Sequence, residues 1–213
     1  MRTYSSGVLA VAVLTVACSP ATPAPKTVAT YDQKTGRLQT LAVDADGNGT
    51  VDTVSYMDGA RIGRIEVDQN EDGKVDRWDF YGTGRQLEKV GSSSRADGVM
   101  DQVSYYDAEG AIVRTEASTR RDGRFDHVEY LSAGRLVRST DDTDGDGRTD
   151  KWDEYALTPG AEPQYTVVAT AVDDAGAGRP TRRFIYGAGG AIARVEVDAH
   201  GDGLFKAVTS QTR

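Results

Sequence analysis

Apolar and polar residues alternate in short runs along most of the chain, and the runs come in pairs around acidic loops. The run before a loop has apolar residues six, three and one places upstream of it. Four copies read Leu38, Leu41, Val43; Ile62, Ile65, Val67; Val167, Thr170, Val172; and Ile192, Val195, Val197. A weaker copy is Ile112, Thr115, Ala117. The last two members alternate, which predicts a strand with one apolar face. Charged residues stand between them, such as Arg64 and Glu66, Arg114 and Glu116, or Arg194 and Glu196. They are expected on a solvated face, where opposite charges pair across strands.

The run after a loop pairs a large apolar residue with an aromatic one: Val54 and Tyr56, Trp78 and Phe80, Val103 and Tyr105, Val128 and Tyr130. The fifth copy slips to Trp152 and Tyr155. Such residues alternating with polar ones predict half-buried strands, and these aromatics read as core. A Gly-containing turn then returns the chain, as in YMDGARI, YGTGRQL, YDAEGAI, YLSAGRL and YGAGGAI. The result is an all-β chain of antiparallel β-hairpin repeats, about 25 residues each, in a meander. One face is expected to be apolar and to need a partner. The pattern leaves open whether the sheet curls into a barrel-like, spiral or propeller-like form.

The loops carry the candidate chemistry. The fullest is DTDGDGRTD, with Asp142, Asp144, Asp146 and Asp150 at positions one, three, five and nine and Gly147 at position six. Two near-complete copies are Asp44, Asp46, Asn48 and Asp52, and Asp68, Asn70, Asp72 and Asp76. Backbone carbonyls at Thr50, Lys74 and Arg148, position seven, would complete each set. Alternate carboxylates around a Gly bend suit a hard, oxygen-seeking cation, and Ca2+ takes six to eight oxygens in irregular geometry. Asp and Gly also favour turns without any metal. Position one recurs at Asp44, Asp68, Ser93, Ser118, Asp142, Asp173 and Asp198, at intervals of 24, 25, 25, 24, 31 and 25 residues. The third and fourth loops have lost two ligands, to Ser93 with Arg95 and to Ser118 with Arg120. Each Arg is expected to act as a substitute cation for Asp97 and Asp101, or for Asp122 and Asp126. The sixth and seventh loops are degraded, and no metal is assigned to them.

The acidic loops resemble those of EF-hand and dockerin modules, but a Gly turn divides the short stretch between them and leaves no room for flanking helices. They are closer to the calcium-binding hairpin loops of integrin-type (FG-GAP) repeats. The Gly turns are similar to the YD repeats of Rhs-type proteins. Neither resemblance carries an activity.

The net charge of −8 argues against nucleic acid as a partner. The single Cys excludes a disulfide framework within the chain. It also marks the N-terminus, where residues 1–17 have the layout of a signal peptide: Arg2, an apolar run from Val8 to Val16, then Ala17 and Cys18. This resembles the lipobox of bacterial lipoproteins, although Thr15 stands where Leu is usual. The resemblance implies lipidation at Cys18, and Ser19 implies the outer membrane. Residues 18–30 then read as the lipidated Cys and a Pro-rich tether, and residues 31–213 as the repeat domain.

No G-x-S-x-G, H-E-x-x-H or dinucleotide fingerprint is present, and His127 and His200 lack a third zinc ligand. The chain therefore reads as no enzyme. It is expected to be a lipid-anchored envelope protein, periplasmic or surface-exposed, with calcium-binding repeats as a structural or interaction module. Its partner would be an envelope protein or polysaccharide. Two alternatives are a carbohydrate- or protein-binding adhesion module, and a secreted hydrolase with its site in the 157–164 loop.

Overall fold

A computed structural model describes residues 24–157 and 165–208. The signal peptide, Cys18, most of the Pro-rich segment and most of the 157–164 loop lie outside the described residues. Each predicted pair of runs forms antiparallel strands. They are β1 (Lys26–Tyr31), β2 (Leu38–Asp44), β3 (Thr53–Asp58), β4 (Arg61–Val67), β5 (Arg77–Tyr81), β6 (Leu87–Ser92), β7 (Gln102–Tyr106) and β8 (Ile112–Ala117). The series continues with β9 (His127–Ser132), β10 (Arg135–Asp141), β11 (Lys151–Leu157), β12 (Tyr165–Val172), β13 (Arg182–Tyr186), β14 (Ile192–Val197) and β15 (Lys206–Ala207). All 15 pair in chain order in one sheet. The sheet is open, with β1 and β15 as its edges, so it closes into neither a barrel nor separate blades.

The sheet starts earlier than residue 31. Lys26 to Tyr31 pair with β2, because the prolines end at Pro25 and KTVATY alternates as a strand. Both edges carry a Lys: Lys26 Nζ lies 3.7 Å from Asp44 Oδ2, and Lys206 opens the two-residue β15. A charged or very short edge strand discourages pairing with another chain.

The expected division into one apolar and one solvated face is corrected by the register. Val54 pairs with Glu66, which pairs with Trp78; Tyr56 pairs with Arg64, which pairs with Phe80. Directly paired residues share a face. After the first four loops, Tyr56, Phe80, Tyr105 and Tyr130 therefore lie beside Arg64, Lys89, Arg114 and Arg138 of the next strand. Arg64 stacks 4.2 Å from the Tyr56 ring centre, Arg114 4.0 Å from Tyr105 and Arg138 4.1 Å from Tyr130. Tyr56 Oη donates to Glu66 at 2.7 Å and Tyr105 Oη to Glu116 at 2.8 Å. Each stack of this exposed kind contributes about 0.5–1 kcal/mol, and the long Arg stems cover ring surface.

The aliphatic residues Ile65 and Val67 of β4 take the opposite face. A register shift between Tyr56 and Met57 brings Ile62 onto the same side as Ile65 and Val67, and equivalent shifts recur in β5–β6 and β7–β8. That bulge explains the six-three-one spacing, which a regular two-residue alternation does not. There Ile65 pairs with Ser55 and Asp79, so this face is mixed as well. Apolar side chains are covered by neighbouring long side chains rather than by a second layer. Among the described residues, the fully buried hydrophobics are Val103 and Ala169, whereas buried acids include Asp44, Asp68, Asp76, Asp101, Asp126 and Asp198. Acids at positions one and nine of the loops are thus among the best-buried residues, together with strand residues such as Ser139 and Asp153.

Candidate metal loops

All the acidic loops fall along one edge of the sheet because loops and Gly turns alternate. Their backbones are spliced together. The position-nine N–H donates to the carbonyl just before position one, as Asp52 to Val43 at 2.9 Å and Asp76 to Val67 at 2.8 Å. The position-nine carbonyl then accepts the position-one N–H of the next loop: Asp68 to Asp52, Ser93 to Asp76, Ser118 to Asp101, Asp142 to Asp126, Asp173 to Asp150. Positions four and six both take positive φ, for example Gly145 at 84° and Gly147 at 88°. Two such bends fall within three residues and fold each loop back on itself.

Most loop carboxylates first serve this backbone. The position-nine side chain accepts the position-two N–H in loops one to five, from Ala45, Gln69, Ser94, Thr119 and Thr143. Position one accepts the position-six N–H, as Gly49 to Asp44 at 2.9 Å, Gly73 to Asp68 at 2.8 Å and Gly147 to Asp142 at 2.9 Å. Position five accepts the position-seven N–H, from Thr50, Lys74 and Arg148. Recurrence of Asp at these places therefore has a cause that needs no ion. Residual, unspent oxygens are the sharper test.

The first two loops have them. Asp44, Asp52, Asp68 and Asp76 each use Oδ2 for the backbone and leave Oδ1 buried with no partner. Asp44 is 5% exposed, Asp68 9% and Asp76 6%. A buried carboxylate oxygen without a partner carries a large desolvation cost, which a divalent ion would remove. Asp44, Asp46 and Asp52 can bring carboxylate oxygens within 4.8 Å of one another, and so can Asp142, Asp144 and Asp146. The first and fifth loops thus gather carboxylates able to hold a metal ion. The second loop has two orphaned oxygens, at Asp68 and Asp76, but its carboxylates are not gathered as closely.

Position two, which the repeat pattern passes over, separates the loops. In loops three and four it is Ser94 and Thr119. Their hydroxyls donate to the second oxygen of position nine, Ser94 to Asp101 Oδ2 at 2.5 Å and Thr119 to Asp126 Oδ2 at 2.7 Å. In loop five the Thr143 hydroxyl donates at 2.8 Å to the same Asp150 oxygen that accepts the Thr143 N–H, so it does not fill the second oxygen. In loops one and two the residue is Ala45 or Gln69, and the oxygen stays open.

The substitute cations are partly as expected. Arg120 lies 3.2 Å from Asp126 in its own loop. Arg95 makes no ion pair among the described residues. Arg121, from the fourth loop, instead reaches back to Asp97 at 2.6 Å and to Asp101 of the third. Repeat spacing within one loop does not reveal this pair, because the arginine and its carboxylates belong to neighbouring loops. Burial pushes the Asp101 carboxyl up, but Ser94 and the Arg121 charge outweigh it, leaving the group below the ordinary value. Asp126 follows the same course, with Thr119 and Arg120 overcoming burial.

In the fifth loop the guanidinium of Arg148 lies 2.6 Å from Asp146 Oδ2 and is the main cause of that carboxyl's lowered pKa. An ion there would compete with it. His127 Nδ1 lies 2.7 Å from Asp141 Oδ1, an ion-pair-like contact within the sheet rather than part of a metal cluster.

No family model matches the sequence, and no curated protein matches it. Solved structures that match part of the chain include accessory secretory protein 1, 2 and 3 of Streptococcus pneumoniae (16% identity, 49% of this chain and 19% of that one, TM-score 0.36). The glycosylation-associated Gap123 complex of Streptococcus agalactiae matches at 16% identity over 56% of this chain and 19% of that one, TM-score 0.31. A mutant of S. aureus TarM with fondaparinux, alpha-GlcNAc-glycerol and UDP matches at 8% identity over 55% and 21%, TM-score 0.25. This chain spans about a fifth of the length of each. Likenesses this remote carry no functional argument.

Proposed function

We propose that the chain is a lipid-anchored protein of the outer membrane, periplasmic or surface-exposed, whose hairpin array is braced by calcium and serves as a structural or interaction module. The observation that carries the metal reading is the set of four buried, unpartnered Oδ1 atoms at Asp44, Asp52, Asp68 and Asp76. An all-oxygen donor set of Asp, Asn and carbonyl groups in an irregular loop suits calcium rather than magnesium, which demands near-octahedral geometry. The ion would be held by Asp44, Asp46, Asn48, Thr50 and Asp52 in loop one, and by Asp68, Asn70, Asp72, Lys74 and Asp76 in loop two. In loop five it would be held by Asp142, Asp144, Asp146, Arg148 and Asp150. Successive loops are two strands apart, roughly 10 Å, close to one Debye length. Neutralising them would relieve repulsion along the whole edge.

Calcium titration by calorimetry, at fixed pH and in chelator-stripped buffer, tests this. Binding should be lost from loop one in Asp44→Ala and from loop two in Asp68→Ala; no heat at millimolar calcium would reject it. The anchor is tested separately. Palmitate label should enter the wild-type chain in a bacterial host and be absent from Cys18→Ser.

A second reading, a carbohydrate-binding module, is favoured by a cleft of about 930 Å3 lined by Tyr165, Tyr186, Thr170 and the 187–190 turn. The only carboxylate lining it among the described residues is Asp153, held by Thr170 at 2.5 Å and Lys151 at 2.5 Å. A hydrolytic pair is not assembled from these residues. A glycan array would find ligands if this reading held, and Tyr165→Ala with Tyr186→Ala would abolish them.

A further inference from the structure

Position four of each loop points to a device linking one loop to the one before it. It requires positive φ, and four of the seven copies use Gly there: Gly47, Gly145, Gly176 and Gly201. Glu71, Ala96 and Arg121 hold the same left-handed conformation, at φ 59°, 51° and 55°, against their intrinsic preference. Two of those three reach back to position five of the preceding loop. Glu71 Oε2 accepts from Asn48 Nδ2 of loop one. Arg121 Nη2 donates to both oxygens of Asp97 in loop three, at 2.6 Å each, while its Nη1 donates to Asp101 and to Ser94 Oγ. The charges are opposite. A carboxylate is sent to a loop rich in unpartnered carboxylate oxygens, and a guanidinium to a loop in which Asp101 is 3% exposed and Ser93 replaces an acidic ligand.

We infer that the Arg121 guanidinium is the resident cation of loop three, donated across the strand pair from loop four. It makes the centre of the sheet metal-independent, while the flanking loops one, two and five depend on calcium. This rests on the calcium reading only for that contrast. The side chain is 15% exposed and bridges position five to position nine, the places an ion would join. Depletion of calcium would then loosen β2 to β5 and the β10–β11 hairpin, and leave β6 to β8 as an intact spine. The array would respond to calcium at two separate places instead of melting as one unit.

Hydrogen exchange followed by mass spectrometry on the full chain, with calcium and with EGTA, tests the inference. In the wild type, residues 93–106 should exchange equally in both conditions, while residues 44–58 exchange faster in EGTA. Arg121→Gln should raise exchange over 93–106 about tenfold or more in both conditions, Arg121→Lys should recover part of the protection, and Arg135→Gln should change nothing there. Asp97→Asn, which removes an exposed partner and spares the fold, should reproduce part of the Arg121→Gln effect. The inference is overturned if Arg121→Gln and Asp97→Asn both behave as Arg135→Gln does. It is equally overturned if residues 93–106 of the wild type answer EGTA as strongly as residues 44–58. A wild type in which no segment answers EGTA would sink the calcium reading and leave the Arg121 assignment standing on its variants.

Discussion

Loops one and three share a backbone and differ in whether side chains fill their buried carboxylate oxygens. Both accept the position-two N–H on position nine, at Asp52 and Asp101. In loop one the second oxygen of Asp52 has no partner, and Asp44 opposite it has a free oxygen as well. In loop three the second oxygen of Asp101 is taken by Ser94 and Arg121. The same hairpin geometry therefore stands with an arginine in the loop and without one. What distinguishes the two solutions is their linkage: an ion stabilises in proportion to its concentration, a covalently attached guanidinium does not.

The largest test of that contrast removes the buried carboxylate from loop three. Asp101→Ala leaves Arg121 without its most buried partner, and a broken buried pair of this kind costs about 3 kcal/mol. Urea midpoints should fall equally with calcium and with EGTA. An effect that calcium reverses would erase the distinction between the loops. Next in size is calcium itself. For dissociation constants of roughly 0.1–1 mM, about 10 mM calcium adds about 1.4–2.7 kcal/mol per occupied loop. Scanning calorimetry should show a higher melting temperature, and Asp44→Ala combined with Asp68→Ala should remove most of the rise.

The comparison also predicts an exchange of character. Gln69→Thr supplies the hydroxyl that loop two lacks, and should stabilise the calcium-free protein by about 0.5–1 kcal/mol. The same variant should bind calcium more weakly in loop two, which a titration would detect. Acid acts on the arginine-type loops in a known direction. The Asp101 and Asp126 carboxyls lie below the ordinary 3.8 when folded. Their stabilisation is present above that value and is lost as pH falls through the lower folded values. In EGTA, protection of residues 93–132 should hold at neutral pH and decline below about pH 4. The smallest effect is expected in loop five. Arg148→Ala frees Asp146 from a competing guanidinium and should tighten calcium there by a few-fold, since an exposed pair of this sort contributes little.

Much of this was legible along the chain. The loop frame was, because Asp at positions one, five and nine and Gly at position six act on backbone groups a few residues away. The same locality hid the rest. Recurring Asp looked like metal ligation, and much of it is hydrogen bonding to positions two, six and seven. The informative residue was position two, where Ala45 and Gln69 stand against Ser94 and Thr119. Arg120 was found because its partner Asp126 is in the same loop. Arg121 was missed because Asp97 is 24 residues away. The expected single apolar face failed on the strand register, which pairs Val54 with Glu66 and Tyr56 with Arg64.

By itself the sequence determined the hairpins, their order and the edge on which the acidic loops gather. Two-residue alternation, Gly bends and Asp-to-backbone hydrogen bonds are short-range and need no distant partner. Tertiary structure alone decided which side chains share a face, which carboxylate oxygens stay unpartnered, and whose arginine enters which loop. Each of those depends on strand register, and register brings together residues from neighbouring repeats whose separation along the chain carries no signal.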